Sequence, residues 1–295
     1  MPANTHQEII SYYDACEWDY QVVWHTHRSF ALHYGFWTDG VRTLSQAQER
    51  QNQWMAEAIE ISSEDHVLDA GCGIGGSSIY LSSSKGCRTT GISLSRRQID
   101  RAREIAGKIV TNKVPIEFQV RDFISTGFPD QSFSVVWAIE SVCHAPDKEA
   151  FLREAFRLLV PGGRLIVADG FSLTSSEKMS FAEQKLMRGW LEPWAVESLS
   201  TFDDFSESME KSGFQNVRAT DVTNLVMPSA RILNYRARLA TIPANLMYWM
   251  GLRNQIQHGN YLAGKYQWKS LQKKLWHYGV FQARKPEGRF HETGS

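Results

Sequence analysis

Val67-Leu68-Asp69-Ala70-Gly71-Cys72-Gly73-Ile74-Gly75-Gly76 is the stretch from which the rest of the chain is read. A short apolar run ends in an acid, and three glycines follow at alternate positions, the pattern of a strand turning sharply into a helix. The glycines permit turns that a side chain would block and let a ligand approach the main chain closely. An adenosine-bearing cofactor is the reading that follows. Dinucleotide sites usually lack an acid before the first glycine, where it would approach the pyrophosphate, so Asp69 suits a cationic cofactor.

Working outward, strand and helix signals alternate. Ser77 to Ser84 reads as the helix after the turn, and Cys87 to Ile92 as a second strand. Ser95 then caps a helix to Ile109 that carries Ile99, Ala102, Ile105 and Ala106 on one face. Ile116 to Val120 is a third strand. Phe133 to Ile139, apolar throughout except for Ser134, is a fourth, buried on both faces. Lys148 to Leu159 is an amphipathic helix stopped by Pro161-Gly162-Gly163, Arg164 to Ala168 is a fifth strand, and Phe214 to Asp221 with Gly279 to Ala283 complete the set. This predicts an α/β fold: a doubly wound, Rossmann-like, seven-stranded, mostly parallel sheet with a helical lid, binding its ligands beyond the carboxyl ends of the strands. Residues 1–60 are expected to be an N-terminal helical lid, 61–170 the cofactor-binding core, 171–285 the rest of the core with an inserted helical substrate lid, and 286–295 a flexible tail. The segments 1–60, 171–200 and 223–276 have helical periodicity and hold nine of the ten tryptophans, leaving Trp137 alone on a core strand. That excess of aromatic surface predicts a deep apolar pocket under the lid.

Composition narrows the partners. In 295 residues, 32 basic and 32 acidic side chains cancel with no block of like charges, which gives no electrostatic footprint for nucleic acid or an anionic membrane. Cys16, Cys72, Cys87 and Cys143 form no C-x-x-C pair, and His25 and His27 point apart on a helix, with His33 further along, so no metal site is expected. No signal peptide or spanning run is visible, and a cytoplasmic location is expected.

With these residues in view, the sequence resembles the class I S-adenosylmethionine-dependent methyltransferases over roughly residues 60 to 285. Asp69 to Gly75 stands for their first motif and Pro161-Gly162-Gly163 for the turn after the fourth strand. Glu140-Ser141-Val142-Cys143-His144-Ala145-Pro146-Asp147 is similar to the E-x-x-x-H-x-P-D segment of the sterol and tocopherol C-methyltransferase-like group, and Tyr12-Tyr13 and Gly91 to Ser95 with Gln98 fit the same group. The resemblance implies S-adenosyl-L-methionine as cofactor, leaving S-adenosyl-L-homocysteine. It implies contacts from Asp69, Gly71, Cys72, Gly73, Gly75, Ser93, Leu94, Gln98, Asp122, Phe123 and Glu140. The acid that binds the ribose in many members is absent after the second strand, and Gln98, helped by Ser93 and the Leu94 backbone, takes that place. Asp122 is expected at the adenine amino group. Glu140 and His144, on the rim of the sheet, are the expected catalytic groups, with Tyr12 and Tyr13 as lid contacts; Asp169 is a third rim carboxylate with weaker support.

Methyl transfer from a sulfonium needs alignment, desolvation and an outlet for a proton. For an alkene acceptor the aromatic lid, including Tyr12, Tyr13, Trp24, Trp190, Trp194, Tyr248, Trp249 and Trp268, would stabilise a carbocation that Glu140 quenches. Carbon methylation of an isoprenoid or similar lipophilic small molecule is therefore the expected reaction. Nitrogen or oxygen methylation of an alkaloid, macrolide or quinol natural product is the alternative. Arg231, Arg236, Arg238 and Arg253 lie in the lid within reach of a diphosphate head or on its solvated face. A homodimer is left open, since lid helices in such enzymes often pack against a second subunit.

Overall fold

The computed structural model describes residues 6–23, 30–111 and 114–287. A first helix, α1 (His6–Val23), precedes α2 (Leu44–Ala58), whose start is fixed by a capping box in which Thr43 and Gln46 each satisfy the other's backbone amide. The core begins with β1 (His66–Ala70), the glycine turn, and α3 (Gly76–Tyr80), which runs on into one wide turn at Leu81–Lys85. Next come β2 (Arg88–Ser93), α4 (Arg96–Ile109), β3 (Ile116–Val120), β4 (Phe133–Ile139), α5 (Lys148–Leu158) and β5 (Leu159–Ser172). The chain finishes with α6 (Phe181–Leu191), α7 (Phe202–Lys211), β6 (Gln215–Asp221), α8 (Thr223–Leu239), α9 (Thr241–Trp249), α10 (Gln255–Gln272) and β7 (Trp276–Arg284).

The sheet runs β3-β2-β1-β4-β5-β7-β6, with β7 antiparallel to both its neighbours and the other strands parallel where they pair. The seven-stranded, mostly parallel α/β fold is thus the one expected. Alternation along each strand divides the core in two. Val135 and Trp137 face one side, packing with Met55 of α2 and with Val226, Ala263 and Trp190 of the lid helices. Val136 and Ala138 face the other, against Phe151 and Leu152 of α5 and Phe205 and Met209 of α7. Lid and sheet therefore share one continuous apolar cluster.

Two boundaries differ from expectation. The β5–β7 ladder extends from Arg164 opposite Arg284 to Ser172 opposite Trp276, so both strands outrun the apolar stretches that suggested them. Trp276 accordingly begins β7, and two tryptophans, Trp137 and Trp276, lie on strands where one was expected. A buried aromatic at a strand end reads in sequence like a helix residue of the lid. The chain-terminal part of the expected tail, from 288 onward, lies outside the described residues.

The lid is tied together by a buried ion pair. Arg253 grips Asp19 of α1 with two hydrogen bonds of 2.9 and 2.6 Å and gives a third, 2.6 Å, to the Gln257 carbonyl. Asn260 adds a bond to Asp19 and one from Tyr12, so α1 is seated on α10 by polar contacts that must all form together.

Candidate active site

The carboxyl ends of β1, β2, β4 and β5 converge on one rim. The turn after β1 has positive φ at Gly71 (+93°) and Gly73 (+53°). A Cβ on Gly71 would stand 2.3 Å from the Ser141 Cβ, so this glycine lets the loop lie flat against the end of β4; a Cβ on Gly73 would meet nothing closer than Leu32 at 3.7 Å, on the side open to a ligand. Alanine at Gly71 combines a left-handed backbone with a steric clash. We expect it to destabilise the fold by about 1–3 kcal/mol, read as a fall in Tm of several degrees, and to weaken ligand binding at the loop.

Asp69 lies buried beneath this loop, held by the Ser78 hydroxyl at 2.6 Å, and burial pushes its carboxyl up to about 6. Ser93 at the end of β2 donates to the Gln98 side-chain oxygen at 2.7 Å, while Ser95 caps α4 by accepting from the Gln98 amide. Asp69, Ser93, Ser95 and Gln98, together with Gly71, Cys72, Gly73, Leu94, Phe123 and Glu140, wall a cavity of about 90 Å³. Two expected contacts fall outside that wall. Gly75 packs against the Phe118 ring and caps α3, and the Asp122 carboxylate accepts from the Ile124 amide at 3.0 Å and faces His6 at 2.9 Å.

A second cavity, of about 270 Å³, adjoins the first under the lid; its wall includes Tyr12, Tyr20, Tyr34, Trp190, Trp194, Trp276 and Tyr278. Tyr13, Leu32, Glu140 and His144 belong to both walls, which makes them the boundary between the two spaces. Of the other lid aromatics singled out, Tyr248 and Trp249 point to solvent and do not enclose the cavity, and Trp268 packs against the core. Trp24, His25 and His27 lie outside the described residues, and His33 is buried with its ring bonded to the Tyr34 carbonyl.

Glu140 directly follows β4 with φ +48°, a left-handed backbone uncommon for a residue with a side chain. One carboxylate oxygen accepts from the Tyr34 amide and the Tyr278 hydroxyl, both at 2.8 Å, and neither partner carries charge. Burial, opposed in part by those bonds, pushes its carboxyl from an ordinary 4.5 up to about 8. A cation entering either cavity would find there an acidic group with no positive partner among its hydrogen bonds, which it would help to ionise. Asp169, on β5, also lines the larger cavity and is pushed up to about 6 by burial, its oxygens held by the Cys143 and Gly170 amides.

His144 closes the short helical turn Val142–His144. Its Nδ1 is 3.1 Å from the Ala195 carbonyl, which can only accept, so that nitrogen carries the proton and Nε2 keeps its lone pair. The Tyr13 hydroxyl donates to that lone pair at 2.9 Å. Burial lowers the imidazole to about 4, so it is neutral in physiological conditions. The result is a phenol joined to a neutral base at the junction of the two cavities. Tyr12 stands one step back, bonded to Tyr20 and Asn260.

Sequence reasoning singled out Glu140, His144, Tyr12 and Tyr13 and missed Tyr20, Tyr34 and Tyr278, which come from α1, the segment before α2, and β7. Nothing in their local sequence points to a site, because only the fold brings them together. Among the described residues no group of three or more ligating side chains could hold a metal ion.

A family model described as a methyltransferase domain matches residues 68–167. The chain is 33% identical over 230 residues to 27-O-demethylrifamycin SV methyltransferase of Amycolatopsis mediterranei, covering 78% of this chain and 81% of that one. It is 39% identical over 155 residues to 2-methyl-6-phytyl-1,4-hydroquinone methyltransferase of Synechocystis sp., covering 52% of this chain and 48% of that one. In fold it is similar to the crystal structure of the [4+2]-cyclase SpnF, with a TM-score of 0.77 and 23% identity over 97% of this chain and 98% of that one.

Proposed function

The chain belongs to the S-adenosylmethionine-dependent methyltransferases, and from that premise we propose that it methylates a hydroxyl oxygen of a lipophilic small molecule, with Tyr13 and His144 taking the proton. Bound S-adenosyl-L-methionine supplies a methyl group on a sulfonium. The residues present fit such a cofactor: the open Gly73 backbone, the Ser93–Gln98 pair in the place of a ribose acid, and a buried carboxylate at Glu140 with no cationic partner among its hydrogen bonds.

The single observation that carries the reading is the Tyr13–His144 hydrogen bond on the boundary between the cofactor cavity and the aromatic one. An alcohol or phenol must lose its proton when its oxygen is alkylated. Tyr13 can accept that proton as its own moves to Nε2, and the Ala195 carbonyl holds the ring in the tautomer that receives it. The aromatic wall excludes water and holds an apolar acceptor. The relative acting on a demethylrifamycin supports a bulky oxygen acceptor.

Carbon methylation of an isoprenoid or prenylated ring is the second reading, and a specific observation favours it. Glu140 lies at the same boundary and the rings of Tyr34 and Tyr278 wall the larger cavity beside it, where together they could steady and deprotonate a carbocation. Pairs of lipophilic phenols and their methyl ethers, sharing one carbon skeleton, separate the two. Turnover confined to the free phenols supports oxygen methylation, and equal turnover of ether and phenol would contradict it.

A cation beside Glu140 favours its ionised form, so cofactor binding should release a proton at pH below about 8. Affinity for S-adenosyl-L-methionine is therefore expected to rise with pH up to about 8 and then level off, whereas neutral S-adenosyl-L-homocysteine should show little dependence. Titration calorimetry in buffers of different ionisation enthalpy measures both effects.

A further inference from the structure

The surface beside the larger cavity differs from the rest of the molecule. From Thr223 to Gln272, the whole of α8, α9 and α10, the chain has no aspartate or glutamate, yet it has Arg231, Arg236, Arg238, Lys265 and Lys269 besides Arg253, which is buried against Asp19. The overall neutrality conceals this asymmetry, and no local block of like charge reveals it, because the basic residues are spread at helical spacing. On α9, Ile242, Leu246 and Trp249 recur at i, i+4 and i+7 and face solvent, with Ile242 80% and Trp249 84% exposed, and Met250, which caps the helix, is exposed beside them. Leu239 and Leu252, at the two ends of α9, extend the patch. Arg231, Tyr235 and Arg238 form an exposed stripe on α8, and Lys265, bonded to Thr241 at 2.6 Å, stands at the start of α9. Apolar side chains this large are rarely left together on a surface that meets only water.

We propose that α8, α9 and α10 form a docking face for an anionic lipid surface, with α9 lying in the interface and its basic neighbours among the headgroups. Three observations commit the face to this occupant. The pattern is that of an interfacial segment, with large apolar residues on one face, basic residues at its margins and no acid. A second copy would bring two acid-free, basic surfaces together. No helix among the described residues is long and apolar enough to cross a membrane, and the nine residues of α9 can lie on a bilayer but not span it. The inner face of the same helix has a function to match: Pro243, Ala244 and Met247 wall the aromatic cavity, so docking would set its mouth against the phase in which a lipophilic acceptor dissolves. That last consequence rests on the proposed acceptor class; docking itself does not.

The test is co-sedimentation of the full chain with vesicles of phosphatidylcholine alone and of phosphatidylcholine with an equal part of phosphatidylglycerol. Binding should be at least about tenfold stronger to the anionic vesicles and should fall as salt is raised. The triple variant Ile242→Ser, Leu246→Ser, Trp249→Ser should lose at least about tenfold in partitioning. R231E/R238E should lose the preference for anionic vesicles. Titration with S-adenosyl-L-homocysteine should be unchanged in both variants, which shows that they are folded and keeps this outcome separate from the reading of the reaction. Failure of wild type to sediment with either vesicle overturns the proposal, as does unaltered binding by the triple variant. Sedimentation velocity showing a dimer that the triple variant dissolves, with no vesicle binding, would assign the face to a second copy instead.

Discussion

Replacing His144 with glutamine will lower kcat by about 10²–10⁴ while leaving the affinity for S-adenosyl-L-homocysteine within about a factor of three, the range expected when a positioned base is removed and a binding site is not. Glutamine places its amide near the position of Nε2, where its oxygen can still accept from the Tyr13 hydroxyl, but it offers Tyr13 no basic nitrogen. Tyr13→Phe removes the hydroxyl that joins acceptor to base and should reproduce most of the loss. The double variant should be little worse than either single change, since the two residues form one proton path. Burial holds the wild-type imidazole near 4, so the base is already unprotonated across the neutral range, and activity due to it should disappear only as pH falls toward 4. Near-normal kcat in both single variants would remove the dyad from the mechanism.

Glu140→Gln should make the protein without ligand more stable and the enzyme worse. The Glu140 carboxyl is raised from 4.5 to about 8, so the folded state favours its protonated form, and wild type loses stability progressively as pH rises from about 4.5 to 8. Glutamine keeps an oxygen to accept from Tyr34 and Tyr278 and never ionises. The variant should therefore match wild type near pH 4.5 and exceed it by a few kcal/mol at pH 8 and above, an order-of-magnitude figure from about 1.4 kcal/mol per pH unit over that interval, reduced for relaxation of the buried site. Asp69 and Asp169 act in the same direction below about pH 6 and are common to both proteins. Denaturant titrations at pH 5 and pH 8.5 measure the gap. The same change should weaken S-adenosyl-L-methionine by at least about tenfold relative to S-adenosyl-L-homocysteine, because one carries the sulfonium charge and the other does not. Equal stability of the two proteins at high pH would mean that Glu140 is better solvated than its surroundings suggest.

These expectations draw on parts of the molecule that differ in how openly the sequence declares them. The strands β1 to β4, the turn after β1 and the cap at Ser95 are local features, each set by a few adjacent residues, and all are legible. The order of the sheet follows from the alternation of strands and helices. Glu140 and His144 could be picked out because a short motif contains both and ends a buried strand. Tyr34 and Tyr278 could not, since the hydrogen bonds that hold Glu140 join residues 106 and 138 positions away from it. Asp122 shows the reverse: its place after a strand resembles a ligand position, and the fold adds what the sequence does not announce, a turn amide and His6 on its carboxylate. Tyr248 and Trp249 illustrate the limit of composition. An excess of tryptophan and tyrosine predicts an aromatic pocket, but which face of a helix turns inward is decided by packing, and α9 turns those two outward.

The most direct test of the account is to find where the methyl group goes. With S-adenosyl-L-methionine carrying a deuterated methyl and an accepted phenol from the paired panel, NMR of the product should place the label on oxygen, with every ring and side-chain carbon unlabelled. A deuterated methyl bonded to carbon would contradict the assignment of Tyr13 and His144 as the proton path and pass the chemistry to Glu140.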